Sequence, residues 1–262
     1  MADEVVSYEL DGEIALIGLN RPEKRNAFND EVRTQLIEAA VRANEEAKVG
    51  IVFGHGDHFC AGLDLAHLKD RMAKGQRMRD QVTRPDGARG FDIMARGDIP
   101  FISALKGAVI GGGLEIAAST HIRVADKTAF FALPEGQRGI YVGGGGSVRV
   151  ARLMGVPRMM DMMLTGRVMS VDEAERHNVV QYIVDEGQEM EKARELALQI
   201  SKNRPQSNFA MINGLPRIYD MGYNDGLFVE SLLVASIYDE NSAQRIDEFL
   251  QKKAKRIEKP NE

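Results

Sequence analysis

Up to about residue 184 the chain alternates short β-rich runs with amphipathic helical patterns, and beyond Gln188 the strand signals vanish. Strands interleaved with helices bury their apolar faces as an α/β core. The later segments 188–203, 206–221, 223–237 and 240–257 all read as helix. Helices of that length need a surface for their apolar stripes, supplied by the core or by another subunit. The shift divides the chain into an expected core of residues 1–200 and a helical region of residues 201–262.

Within the core, runs 5–10 and 13–19 flank Asp11-Gly12, a hairpin signal. Asn29 is placed to cap a helix whose apolar positions are Val32, Leu36, Ala39, Ala40 and Ala43. Strands are expected at 49–53, 101–106, 121–125, 128–132 and 179–184, and helices at 114–119, 156–164 and 171–176. Residues 69–98 differ: a basic stretch, then Arg84-Pro85-Asp86-Gly87, then a short helical pattern at 91–96. This is the expected mobile or specificity-setting insertion.

A net charge of −5 argues against non-specific binding to nucleic acid or to an anionic membrane. No apolar run approaches the ~20 residues of a membrane span. Cys60 is the only cysteine, so no internal disulfide forms. With the acidic start Met1-Ala2-Asp3-Glu4, this sets the expectation of a cytoplasmic protein.

The residues that point to chemistry are Lys106-Gly107-Ala108-Val109-Ile110-Gly111-Gly112-Gly113-Leu114-Glu115, answered by Pro134-Glu135. Glycines between a strand-like and a helix-like run let backbone N–H groups face a ligand oxygen. Glu115 reads either as a helix-start acid complementing the dipole or as a catalytic carboxylate. Glu135 follows the apolar run Phe130-Phe131-Ala132-Leu133-Pro134, which would raise its pKa as a general acid requires; alone it also reads as a loop acid. Ala61-Gly62-Leu63-Asp64 offers a second donor, the Leu63 N–H. Gly143-Gly144-Gly145-Gly146 lacks the Lys-Ser/Thr of a phosphate loop. His55 and His58 lack a third ligand nearby, so no metal site is expected. Ser119 and Cys60 lack a nucleophile elbow.

At these motifs the sequence resembles the crotonase family, the enoyl-CoA hydratase/isomerase superfamily. The matching pieces are Asn20-Arg21-Pro22-Glu23-Lys24-Arg25-Asn26-Ala27-Phe28, Phe59-Cys60-Ala61-Gly62-Leu63-Asp64-Leu65, the glycine turn to Glu115, and Phe131-Ala132-Leu133-Pro134-Glu135. Leu164-Thr165-Gly166-Arg167 and Ala174-Glu175-Arg176-His177-Asn178 follow in the family's order. The resemblance implies a ββα spiral core, a C-terminal helical trimerisation region, and assembly as a homotrimer or homohexamer.

It also implies an acyl-CoA thioester substrate, with coenzyme A part of the substrate and no separate cofactor. The N–H groups of Leu63 and Gly112 would form an oxyanion hole, and Glu115 and Glu135 occupy the positions of the two hydratase glutamates. Arg25, Ala27, Ala61, Leu63, Asp64, Leu65, Gly111 and Gly112 would line the substrate site, and Phe249 and Lys252 match a C-terminal segment that touches CoA. The first expectation is an enoyl-CoA hydratase. Alternatives are an isomerase, a hydroxycinnamoyl-CoA hydratase-lyase, an acyl-CoA hydrolase or, from another class, a non-catalytic acyl-CoA- or RNA-binding assembly component. Gln137, Arg138 and Tyr141 replace part of the apolar run that hydratases of simple fatty acyl-CoAs carry there. His121 stands at a helix position often acidic in the family. Either Arg138 and Tyr141 make the acyl pocket more polar, or Arg138 points to solvent.

Overall fold

The central β-strands lie side by side in a sheet whose runs are apolar on both faces. In the computed structural model, which describes residues 4–74 and 91–251, strand β2 (Ile14–Leu19) and strand β4 (Phe101–Leu105) are buried at every position. Such continuous burial is the mark of parallel strands covered on both sides. They belong to a six-stranded sheet ordered β1 (Val6–Asp11), β2, β3 (Val49–Gly54), β4, β6 (Ile122–Asp126) and β9 (Tyr182–Val184). In this sheet only the β1–β2 hairpin is antiparallel, and its turn falls one residue later than expected: Asp11 pairs with Ile14, which leaves Gly12, at φ +62°, and Glu13 as the turn residues.

Period-two alternation assigns the side chains to two cores. Ala15, Ile17 and Leu19 join the larger cluster with Val32, Leu36, Ala39, Ala40 and Ala43 of helix α1 (Asp30–Glu46). Asn29 caps that helix through the Val32 amide at 3.0 Å. Ile14 and Leu16 point the other way, against Ala193, Leu196 and Ala197 of a late helix, Glu189–Ile200.

The apolar run 106–110 does not continue β4. The chain turns at Lys106-Gly107, where Gly107 has a φ of +51°, and strand β5 (Ala108–Ile110) opens a second sheet. That three-stranded sheet pairs β5 in parallel with β7 (Phe130–Ala132), and β7 antiparallel with β8 (Val168–Ser170). The strand expected at 179–184 is shorter: the Val179 and Val180 amides bond back to the Ala174 carbonyl instead. His121 is not a helix residue; its helix ends at Ala117, and His121 Nδ1 accepts from the Phe101 amide at 2.9 Å just ahead of β6.

The chain divides into two compact units, Met1–Pro205 and Gln206–Glu262. Helices run at Pro205–Tyr219, Tyr223–Ile237 and Glu240–Leu250. Their large apolar side chains are mostly exposed, among them Phe209, Leu215, Tyr219, Tyr223, Phe228 and Leu232. No helix among the described residues is long and apolar enough to cross a membrane.

Candidate active site

The glycine turn is built where β5 stops. Gly111 donates to the Ala132 carbonyl at 2.9 Å and turns with a φ of +52°, a left-handed conformation that side chains disfavour. The next helix, Gly112–Ala117, is buried throughout. At Gly112 even one carbon would collide with the Phe28 ring.

A second turn abuts the first. Segment 59–63 runs beside β5, with Cys60 donating to the Ala108 carbonyl at 2.9 Å and accepting from the Ile110 amide at 3.0 Å. Phe28 then pairs with Leu63 in a parallel bridge: its amide donates to the Gly62 carbonyl and its carbonyl accepts from Asp64. A parallel bridge of this register uses the residues on either side of Leu63 and leaves the Leu63 N–H unused. A methyl group on Gly62 would lie 3.6 Å from the Gly112 nitrogen, so the two turns are neighbours. Among the described residues neither the Leu63 nor the Gly112 amide has a protein acceptor. Unpaired donors of this kind, Gly112 buried and Leu63 half-buried, are available to an incoming oxygen.

Both glutamates are buried. Glu115, in the first turn of the helix that Gly112 opens, accepts at Oε1 from the Gly144 and Gly146 amides, each at 2.8 Å. Burial pushes its carboxyl above the ordinary value, opposed by those amides and by the Arg149 guanidinium. Glu135 is not a loop acid: it opens the short helix Glu135–Arg138. Its Oε1 faces Gly111, where a methyl group would approach to 2.8 Å, and its Oε2 has no partner among the described residues. Burial, reinforced by the nearby charge of Glu115, pushes Glu135 up to about 6, against the pull of its own amide and Arg138. The two carboxylates therefore titrate as a pair, one held by two loop amides and the other with one buried oxygen unpartnered.

This raised value ties stability to pH. With a folded value of about 6 against an ordinary 4.5, the native state holds a proton that the unfolded chain releases between these pH values. Stability from this group is present below pH 4.5 and lost as pH rises through 6. Glu135→Gln escapes the loss. It is expected to exceed the wild type by about 1–2 kcal/mol at pH 8 and by nothing at pH 4, measured by urea denaturation at both. An equal gain at the two pH values would contradict this origin.

Asp64 caps helix Leu65–Ala73 through the Ala66 and His67 amides and pairs with Arg21 at 3.2 Å. Although burial works against it, these partners hold its carboxyl below the ordinary range. Arg25, exposed and left-handed at φ +50°, accepts from the Ala61 amide; Ala27 accepts from Arg21, and Leu65 is exposed. Arg25, Ala27, Ala61 and Leu65 are thus brought to the rim of the Leu63 turn. Arg138 is exposed three residues after Glu135, and Tyr141 is 67% exposed, while Gln137 is turned to the Thr165 carbonyl. Phe249 is exposed on the last helix of the second unit, and Lys252 lies outside the described residues. Cys60 is buried with its thiol pushed up to about 12, consistent with packing rather than nucleophilic use.

Two features escaped sequence reasoning. Buried Asn26, also left-handed at φ +56°, joins the site loops by accepting from the Arg21 amide and donating to the His55 and His58 carbonyls. Arg149 on helix Gly146–Met154 bonds Asp92 of the short helix Asp92–Arg96 at 2.7 Å and also the Gly144 carbonyl. Asp92 falls in a segment that reads as a mobile or specificity-setting insertion, whose residues 75–90 lie outside the described residues, and no spacing rule links it to Arg149. No cluster of three or more His, Cys, Asp or Glu side chains suited to a metal occurs among the described residues.

Two abutting turns thus present free amides beside a pair of buried carboxylates, an arrangement suited to a polarised carbonyl oxygen and a proton donor and acceptor next to it. Residues 9–259 match the family model described as enoyl-CoA hydratase/isomerase, and the chain belongs to that family, within the crotonase superfamily. A provisionally named enoyl-CoA hydratase from Mycobacterium bovis is 30% identical over 257 residues, covering 97% of this chain and 98% of its own. The mevalonyl-coenzyme A hydratase of Aspergillus fumigatus is 36% identical over 210 residues, covering 79% and 76%. The crystal structure of a provisionally named enoyl-CoA hydratase from Rhodopseudomonas palustris superposes with a TM-score of 0.88 at 44% identity, covering 95% and 96%. The mixed α/β architecture is accordingly the crotonase fold, with its C-terminal helices present.

Proposed function

We propose that the chain is an enoyl-CoA hydratase, adding water across the 2,3 double bond of an enoyl-CoA thioester. The observation that carries this reading is the contrast between the two carboxylates beside the free Leu63 and Gly112 amides. The thioester oxygen accepts from both amides, which draws electrons from the double bond and leaves C3 electrophilic. Glu115, whose Oε1 is held by two amides, is the ionised partner. Its second oxygen orients water and takes a proton as the water oxygen bonds to C3. The π pair passes to the enolate, and Glu135, whose protonated form burial favours, delivers its proton to C2. A proton moving from Glu115 to Glu135 resets the pair.

Arg25, Ala27, Ala61, Asp64 and Leu65 are assigned to the CoA side of the site and Arg138 and Tyr141 to the acyl side. The exposed apolar helices of the second unit are assigned to contacts between copies in a homotrimer or homohexamer, and Phe249 and Lys252, by the family resemblance, to CoA binding. A cytoplasmic setting fits the single, buried Cys60. The test is a panel of CoA thioesters followed by mass spectrometry, run on protein whose mass in solution is measured beforehand. Addition of water to crotonyl-CoA or a hydroxylated enoyl-CoA is expected, from a particle of three or six copies. Double-bond migration in 3-enoyl-CoA, cleavage of hydroxycinnamoyl-CoA or hydrolysis of saturated acyl-CoA without hydration would replace the reading.

A further inference from the structure

The loop that grips Glu115 is itself gripped from behind. Its two donors, Gly144 and Gly146, flank Gly145, which has a φ of +94°, and glycine loops of this kind hold no conformation by themselves. Three contacts fix it. The Arg149 guanidinium packs over Gly145 and donates through Nη2 to the Gly144 carbonyl. Its Nη1 donates to Asp92 Oδ1 at 2.7 Å, with only 15% of the arginine side chain exposed. Phe91, beside Asp92, is buried edge-to-face against Phe28 at 6.3 Å and faces Gly144. A planar guanidinium is suited to this double duty, since one fork reaches an anion and a carbonyl together.

We propose that Arg149 and Asp92 form a positioning pair that clamps the loop 143–146 onto Glu115 and supplies the counter-charge to its carboxylate. The proposal rests on the hydratase reading for its effect on rate, but its electrostatic part does not. The charged groups facing Glu115 are Arg149 from one helix and Glu135 from another, with Asp92 and Arg96 acting through Arg149. Removing the cation leaves Glu115 with only its amides; removing Asp92 takes away an opposing anion. The two changes should therefore shift the Glu115 titration in opposite directions.

The experiment is a carbon-13 NMR titration of the side-chain carboxyls in glutamate-labelled protein, the Glu115 signal assigned by its loss in Glu115→Gln. Arg149→Met is expected to raise the Glu115 midpoint by about one pH unit, and Asp92→Asn to lower it by a fraction of a unit. Arg149→Lys, which keeps the cation but not the fork, should leave the midpoint near the wild-type value while kcat falls about tenfold or more with little change in KM. Arg149→Lys and Asp92→Asn carry the test if Arg149→Met fails to fold. Midpoints that stay fixed, or that move in the same direction in Arg149→Met and Asp92→Asn, overturn the pair. If the midpoints move as expected while Glu115→Gln retains full turnover, the hydratase reading fails and the clamp stands.

Discussion

Replacing Glu115 or Glu135 by glutamine is expected to lower kcat for the productive thioester by about 10²–10⁴, with KM changed far less. Both substitutions preserve volume, so neither opens a cavity beside the buried turn. They fail for different reasons. In Glu115→Gln the new side-chain carbonyl oxygen can still accept from the Gly144 and Gly146 amides, but no basic oxygen is left to take the proton of the attacking water. Glu135→Gln removes the acid whose proton burial helps to retain. Because the two act on one transition state, the double variant should be only slightly worse than the poorer single one. Steady-state kinetics on the three variants checks this. Turnover within a few fold of wild type in either single variant would remove that glutamate from the acid/base pair.

Most of the scaffold was legible because its signals are local. Asp11-Gly12 between two β-rich runs leaves few options other than a hairpin, and the spacing of Val32, Leu36, Ala39, Ala40 and Ala43 places one face of α1 in the core. The glycine turn was legible as an anion-facing backbone with Glu115 beside it in sequence, but the convergence of Glu135 on that turn was not. What stayed hidden depends on residues distant in sequence. That β5 leaves the sheet of β4 is decided by pairing with β7, and residues 106–110 read as strand in either sheet. Glu135 lies on a helix of four residues, too short to show a period. The apposition of Leu63 with Gly112 comes from a bridge to Phe28 and a ladder to β5, and Asp92 and Arg149 lie 57 residues apart. The resemblance paired Leu63 with Gly112 but was silent on how Glu115 is held.

Gly112→Ala is expected to cost about 10²–10³ in kcat/KM, more than its single methyl group suggests. The added carbon would enter the ring of Phe28, and Phe28 is also the residue whose bridge positions the Leu63 turn. Displacing that ring therefore disturbs both oxyanion donors at once, and it presses on Phe91 beyond. Overpacking of this kind ordinarily costs about 1–3 kcal/mol of stability as well. Phe28→Leu in the same chain should relieve the collision, so the double variant is expected to recover stability and part of the rate, a coupling that a thermodynamic cycle measures directly. Gly12→Ala provides the contrast. It stands in a hairpin turn at φ +62° with open space around it, so it should lose about 1–2 kcal/mol to backbone strain and leave turnover intact. If Gly112→Ala proved as harmless to catalysis as Gly12→Ala, the Gly112 amide would not be holding the thioester oxygen, and the enolate charge would have to be stabilised elsewhere.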